Sequence, residues 1–152
     1  MAEDVKSTYN LKRFLDAQEY DYARALAEIR AGRKTSHWIW YIFPQLKGLG
    51  HSSMCDRYGI QGAGEAAAYL AHPILRARLV EISSALLALE SRDAKKIMGA
   101  MGHIDAKKLR SSMTLFASVE GTDPVFAQVI DEFFGGRPDP RTLEMLASEA
   151  ES

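Results

Sequence analysis

The sequence predicts an all-α protein, a single domain of about seven or eight irregularly packed helices, and three observations carry that prediction. Leu75, Leu79, Ile82, Leu86 and Leu89 recur at steps of four and three, the spacing that lines one face of a helix. The strand-like run His37-Trp38-Ile39-Trp40-Tyr41-Ile42-Phe43 is aromatic or β-branched throughout, yet no second convincing strand exists to pair its N–H and C=O groups. Asp123-Pro124 and Asp139-Pro140 each offer a capping carboxylate followed by a proline at the first helical position.

Residues 1–8 are polar and read as a flexible N-terminus, with one domain over 9–146 and a flexible C-terminus over 147–152. Asn10 caps a short helix that puts Leu11, Phe14 and Leu15 on one face. A second helix carries Tyr22, Leu26 and Ile29 up to Gly32, placed where a left-handed C-terminal cap is wanted. Thr35 or Ser36 caps a helix made of the aromatic run, and Pro44 disfavours helical geometry at Phe43. The glycine-rich stretch 48–64 reads as loop, with a helical turn over 53–58 and a short helix over 65–71. Pro73 opens the leucine-striped helix to Glu90, and 91–98 forms a short helix before a break at 99–102. Asp105 caps the next helix, whose apolar face is Leu109, Met113 and Phe116. Its polar face is rich in hydroxyls: Ser111, Thr114 and Ser118 beside Lys107. Phe126, Val129, Ile130 and Phe133 bury the following helix until Gly135-Gly136, and Leu143 and Leu146 give the last one a weak apolar edge. From these stripes Trp38, Ile42, Leu79, Ile82, Leu86, Phe116 and Ile130 are expected in the core.

A chain of 152 residues is long enough to bury roughly 70% of its unfolded surface. With 47% hydrophobic and 26% charged residues and a net charge of −1, it has no global pull toward nucleic acid or membrane, and neither is expected as a partner. The single cysteine, Cys55, cannot form an internal disulfide, and residues 1–6 lack the apolar run of a signal peptide, so a reducing cytoplasm is the expected setting.

The search for chemistry excludes more than it finds. His37, His51, His72 and His103 form no H-E-x-x-H and no cysteine pairing, so no metal site is expected, and the glycine-rich stretch carries no phosphate fingerprint that would imply a cofactor. Cys55 follows His51 by four residues, a spacing that brings thiol and imidazole together only on a helix. Two places stand out. His37, beside Arg33 and Lys34, is a polar ring at the start of an apolar run. Lys107, Lys108, Arg110, Ser111, Ser112 and Thr114 form a cationic, hydroxyl-bearing set suited to a carboxylate or phosphate.

One resemblance runs along the chain. Phe14, Ala17-Gln18, Tyr22, Ala25-Leu26, Glu28, Gly32, Lys34, His37-Trp38, Trp40 and Ile42-Phe43-Pro44-Gln45, then residues 108–116 from Lys108 to Phe116, then residues 133–139 from Phe133 to Asp139, resemble the family known as domain of unknown function 1810. The resemblance implies a mainly α-helical, chiefly bacterial single domain with no catalytic residues to carry over, and favours helix over strand for the aromatic run. Some members bear the label calpastatin, but that inhibitor is a disordered chain, whereas this sequence has regular apolar stripes, so the label is set aside.

Three classes of function stay open at this level. First in rank is a binder of a small anionic or nucleotide-like ligand, in which His37, Trp38, Gln45, Lys108, Arg110 and Ser111 border one concavity. An interaction module would instead expose a contiguous apolar patch, and an enzyme would need a titratable pair within a cleft.

Overall fold

Helix α1 runs unbroken from Lys12 to Arg30, where the apolar spacing alone predicts two shorter helices. The reason is Gln18. It continues the stripe from Phe14 toward Leu26 and Ile29, and although polar it is buried, its amide donating to the Tyr41 carbonyl at 2.8 Å and the Tyr69 hydroxyl at 3.0 Å. Asn10 does not cap α1 through its side chain; Leu11 holds the cap position, and Arg13 donates to the Asn10 carbonyl. The other end follows expectation. Gly32 takes a φ of +85°, and the N–H groups of Gly32 and Arg33 return to the carbonyls of Ile29 and Glu28, which closes the helix with a left-handed residue.

This computed structural model describes residues 9–151, so the expected flexible N-terminus, residues 1–8, lies outside the described residues. Among the described residues there are nine α-helices and no strand. After α1 come α2 (Ile39–Ile42), α3 (Ser53–Tyr58), α4 (Gly62–Ala71), α5 (Pro73–Leu87) and α6 (Ala94–Ile97). A 3₁₀ turn, Gly99–Met101, leads into α7 (Gly102–Ala117), followed by α8 (Val125–Phe134) and α9 (Pro140–Glu151). Helix α7 is central, with α8, α6, α4, α2 and α9 all packing against it, while α5 bridges α1 and α8. The seven residues expected in the core are all buried, Trp38, Ile82, Leu86 and Phe116 with no exposed surface at all. None of the helices described is long and apolar enough to cross a membrane.

The aromatic run is helical over only four residues, and neither Thr35 nor Ser36 caps it with a hydroxyl. Glu28, at the end of α1, supplies the acceptors instead. Its carboxylate takes the N–H groups of Thr35 and Ser36 at 2.8 and 2.9 Å, the Ser36 hydroxyl at 2.6 Å and the Trp38 indole N–H at 2.9 Å. Burial opposes ionisation of Glu28, but these four donors outweigh it and hold its carboxyl down at about 2, from an ordinary 4.5. The unfolded chain therefore takes up this proton first as pH falls. The stabilisation from the carboxylate is complete above about pH 4.5 and is lost as pH drops through about 2. Glu28→Gln is expected to lower stability at pH 7 by about 2 kcal/mol, a charged hydrogen-bond acceptor being replaced by a neutral one. It should also flatten the pH dependence of the urea midpoint across that window; an acid limb identical to wild type would show that Glu28 does not hold this turn.

Two buried ion pairs tie distant segments together. Lys34 meets Asp105 at 2.9 Å, with their side chains 4% and 6% exposed, and the ammonium also lies 5.1 Å from the centroid of the Trp38 ring. Asp105 is thus no cap: α7 starts at Gly102, and the carboxylate, in its first turn, is committed to Lys34. Arg13 meets the fully buried Glu65 at 2.7 Å, and Glu65 also accepts the Gln61 N–H. Backbone segments close tightly around Lys34. Its N–H donates to the Ile97 carbonyl at 2.7 Å, and a Cβ on Gly99, whose φ is +79°, would lie 2.1 Å from the Lys34 carbonyl oxygen. A Cβ on Gly102 would lie 1.9 Å from that of Lys95.

The last helix continues to Glu151, beyond the boundary at 146 that its apolar edge suggests. Thr142 is buried, and Glu149 accepts the Ala63 N–H at 2.9 Å, so the chain past 146 is tied to the start of α4.

Candidate functional site

A cleft of about 670 Å³ lies where α7, the start of α9 and the segment between α2 and α3 meet. The 45–60 segment is shaped by a parallel bridge: Ile60 N–H donates to the Gln45 carbonyl and Lys47 N–H to the Ile60 carbonyl, both at 2.9 Å. Between these ties Gln45, Leu49, Gly50, His51, Ser52 and Cys55 border the cleft. Ser52 caps α3 by accepting the Cys55 N–H at 3.1 Å. Gly50 passes so near that thiol that a Cβ there would lie 2.3 Å from Sγ. Helix α7 contributes Ile104, Lys107, Lys108, Arg110 and Ser111, α9 contributes Pro140 and Arg141, and Asp139 comes from just before α9.

The hydroxyl-rich face of α7 turns out to hold the approach to α9. Ser111 donates to the Asp139 carboxylate at 3.1 Å, and Thr114 accepts the Asp139 N–H at 2.8 Å. The same carboxylate caps α9 by accepting the Thr142 N–H and hydroxyl. Arg110 uses Nε and Nη2 on the carbonyls of Arg137 and Pro138, at 2.7 and 3.1 Å. Arg110 and Ser111 therefore build the wall of the cleft as well as facing it. Ser112 is fully buried, its hydroxyl without a partner among the described residues, and neither it nor Thr114 borders the cleft.

Of the residues singled out from sequence, Gln45, Lys108, Arg110 and Ser111 come together here, while His37 and Trp38 do not line the cleft. Trp38 is wholly inside the core. His37 is exposed rather than held in an apolar setting, and the described bond at this residue is its carbonyl accepting the Tyr41 hydroxyl at 3.4 Å. The two ends of the aromatic run do not converge: His37 lies before the four-residue helix and is exposed, while Gln45, past its other end, borders the cleft. His51 and Cys55 do border the same cleft, but His51 precedes the Ser52 cap, so the two are not one helical turn apart. Sequence reading missed Leu49, Ile104, Asp139 and Arg141 as lining residues. Ile104, Lys107, Lys108 and Ser111 share one helical face, a spacing that could have found the first of them; Arg141 follows a capping dipeptide and carries no signal of its own.

The cations of the cleft are unbalanced. Among the described residues no carboxylate forms an ion pair with Lys107, Lys108 or Arg141, and the Gln45 side chain has no hydrogen-bond partner. The one carboxylate on the lining, Asp139, is already engaged by Ser111 and Thr142. No group of three or more His, Cys, Asp or Glu among the described residues is arranged to hold a metal ion.

The molecule is thus a small all-α domain with a cationic cleft beside its central helix. It belongs to the family described as protein of unknown function (DUF1810), whose model matches residues 8–146. The fold is similar to the crystal structure of a conserved hypothetical protein from Mycobacterium tuberculosis, with 41% sequence identity over 92% of this chain and 98% of that one and a TM-score of 0.86. No curated protein matches the chain.

Proposed function

We propose that the chain binds a small anionic or nucleotide-like ligand in the cleft between α7 and α9. The observation that supports this is the presence of Lys107, Lys108 and Arg141 on one concave surface with, among the described residues, no carboxylate paired to any of them. Like charges held together raise the local potential, and an anion seated among them relieves it through charge-assisted hydrogen bonds. The volume lies within the range of small-molecule sites.

The reading is tested by a thermal-shift screen of nucleotides and small polyanions against the full chain. A ligand at 100 times its dissociation constant is expected to stabilise by about 2.7 kcal/mol. Lys108→Gln should remove that shift and leave the unliganded melting temperature nearly unchanged, because the Lys108 ammonium has no ion-pair or hydrogen-bond partner among the described residues. A shift that survives both Lys108→Gln and Arg141→Gln would place the ligand elsewhere.

A further inference from the structure

Resting on that reading, we infer that the ligand is a phosphomonoester of an uncharged body: its phosphate is held by Lys107, Lys108 and Arg141, and its body lies against Leu49, Ile104 and Gln45. The cations come from two elements. Lys107 and Lys108 are neighbours on α7, and Arg141 is the second residue of α9. Arg110 adds positive charge but has two of its nitrogens committed to carbonyls. A monocarboxylate offers these donors two oxygens and a single charge. A phosphomonoester offers three terminal oxygens and about −1.5 to −2 charges at neutral pH, which matches three cationic side chains that form no ion pair among the described residues.

The remainder of the lining bears on the body. Leu49 and Ile104 give apolar surface, Ile104 being 36% exposed, a position where an apolar group gains by being covered. Gln45 brings an amide that both donates and accepts and has no partner among the described residues, so it suits a polar edge on an otherwise neutral group. A second negative charge on the body would meet the Asp139 carboxylate, whose partners Ser111 and Thr142 are neutral, and a positive one would meet Lys107, Lys108, Arg110 and Arg141, so an uncharged body suits this lining.

The test is isothermal titration of the full chain at one fixed ionic strength with the 5′-monophosphates of adenosine, guanosine and cytidine, ribose 5-phosphate, inorganic phosphate, adenosine, citrate and acetate. At least one phosphomonoester is expected to bind tenfold or more tightly than inorganic phosphate, its dephosphorylated parent, citrate and acetate. Lys108→Gln should cost it tenfold or more, Gln45→Ala should draw its affinity toward that of inorganic phosphate, and Lys12→Gln, paired with Asp16 on α1, should change nothing. Citrate binding as tightly as the best phosphomonoester, with the same dependence on Lys108, would overturn the phosphate assignment while leaving an anion site. Inorganic phosphate equal to every ester would overturn the assignment of the body. No binding by any anion would overturn the site itself.

Discussion

Asp105→Ala is expected to destabilise the protein by about 3–5 kcal/mol, because it leaves the Lys34 ammonium buried without its counter-charge. Both side chains are almost wholly removed from water, so solvent does little to screen the loss. Urea unfolding gives the measurement, read as a lower midpoint at unchanged slope. Replacing both partners, Lys34→Met with Asp105→Leu, is expected to recover much of the stability, since the cost lies in stranding one charge rather than in losing the pair. A single variant with a nearly unchanged midpoint would show that the lysine stem can carry its ammonium out to solvent.

Trp38→Ala is expected to cost about 3–5 kcal/mol, the range for removing a large aromatic from a packed core. The indole has no exposed surface, its ring lies tilted against Phe43 with centroids 6.2 Å apart, and its N–H reaches the Glu28 carboxylate. Trp38→Phe, which keeps most of the ring and gives up the N–H, should lose less than half as much. Half-buried Trp40 remains in either variant to report unfolding by its fluorescence. Because Trp38 and Asp105 both contact Lys34, their single-variant losses should not add in the double variant, and additivity within about 0.5 kcal/mol would argue that the three do not act as one unit.

What was legible in the sequence is what depends on neighbours along the chain. The α5 stripe from Leu75 to Leu86, the left-handed cap at Gly32 and the Asp139 cap all follow from spacing and local chemistry and appear in the structure, although α5 ends at Leu87 and leaves Leu89 beyond it, and Asp123 accepts the Val125 N–H from one residue before the cap position, which Pro124 holds. The rest turned on contacts across the chain. Gln18 broke the apparent stripe of α1 because its partners, the Tyr41 carbonyl and Tyr69 hydroxyl, are invisible until the chain is folded. The aromatic run is a single helical turn because Glu28 satisfies the preceding backbone, a role that no propensity scale encodes. The cationic set on α7 was visible as a set, but its hydroxyls proved to fasten Asp139 and its arginine the carbonyls of residues 137 and 138, and its neighbours from α9 and the 45–55 segment came from parts of the chain with no matching pattern.

The tight approach of residues 95–102 to Lys34 also sets a limit on sequence drift. At Gly99 and Gly102 the atom that a side chain would strike is a backbone carbonyl oxygen, which cannot swing aside as a side chain can. At Gly99 the left-handed backbone adds a second objection to any other residue. Gly99 is therefore closed to point mutation as long as the chain keeps Lys34 where it is, and Gly102 as long as the Lys95 carbonyl stays in place, whereas Gly32 and Gly121, with open space around them, face only the conformational penalty. A lineage descending from this protein could change its surface freely and repack much of its core in small steps. It could not replace Gly99 without first moving the backbone of Lys34, nor Gly102 without moving that of Lys95, so each glycine is locked by a second stretch of main chain rather than by a side chain.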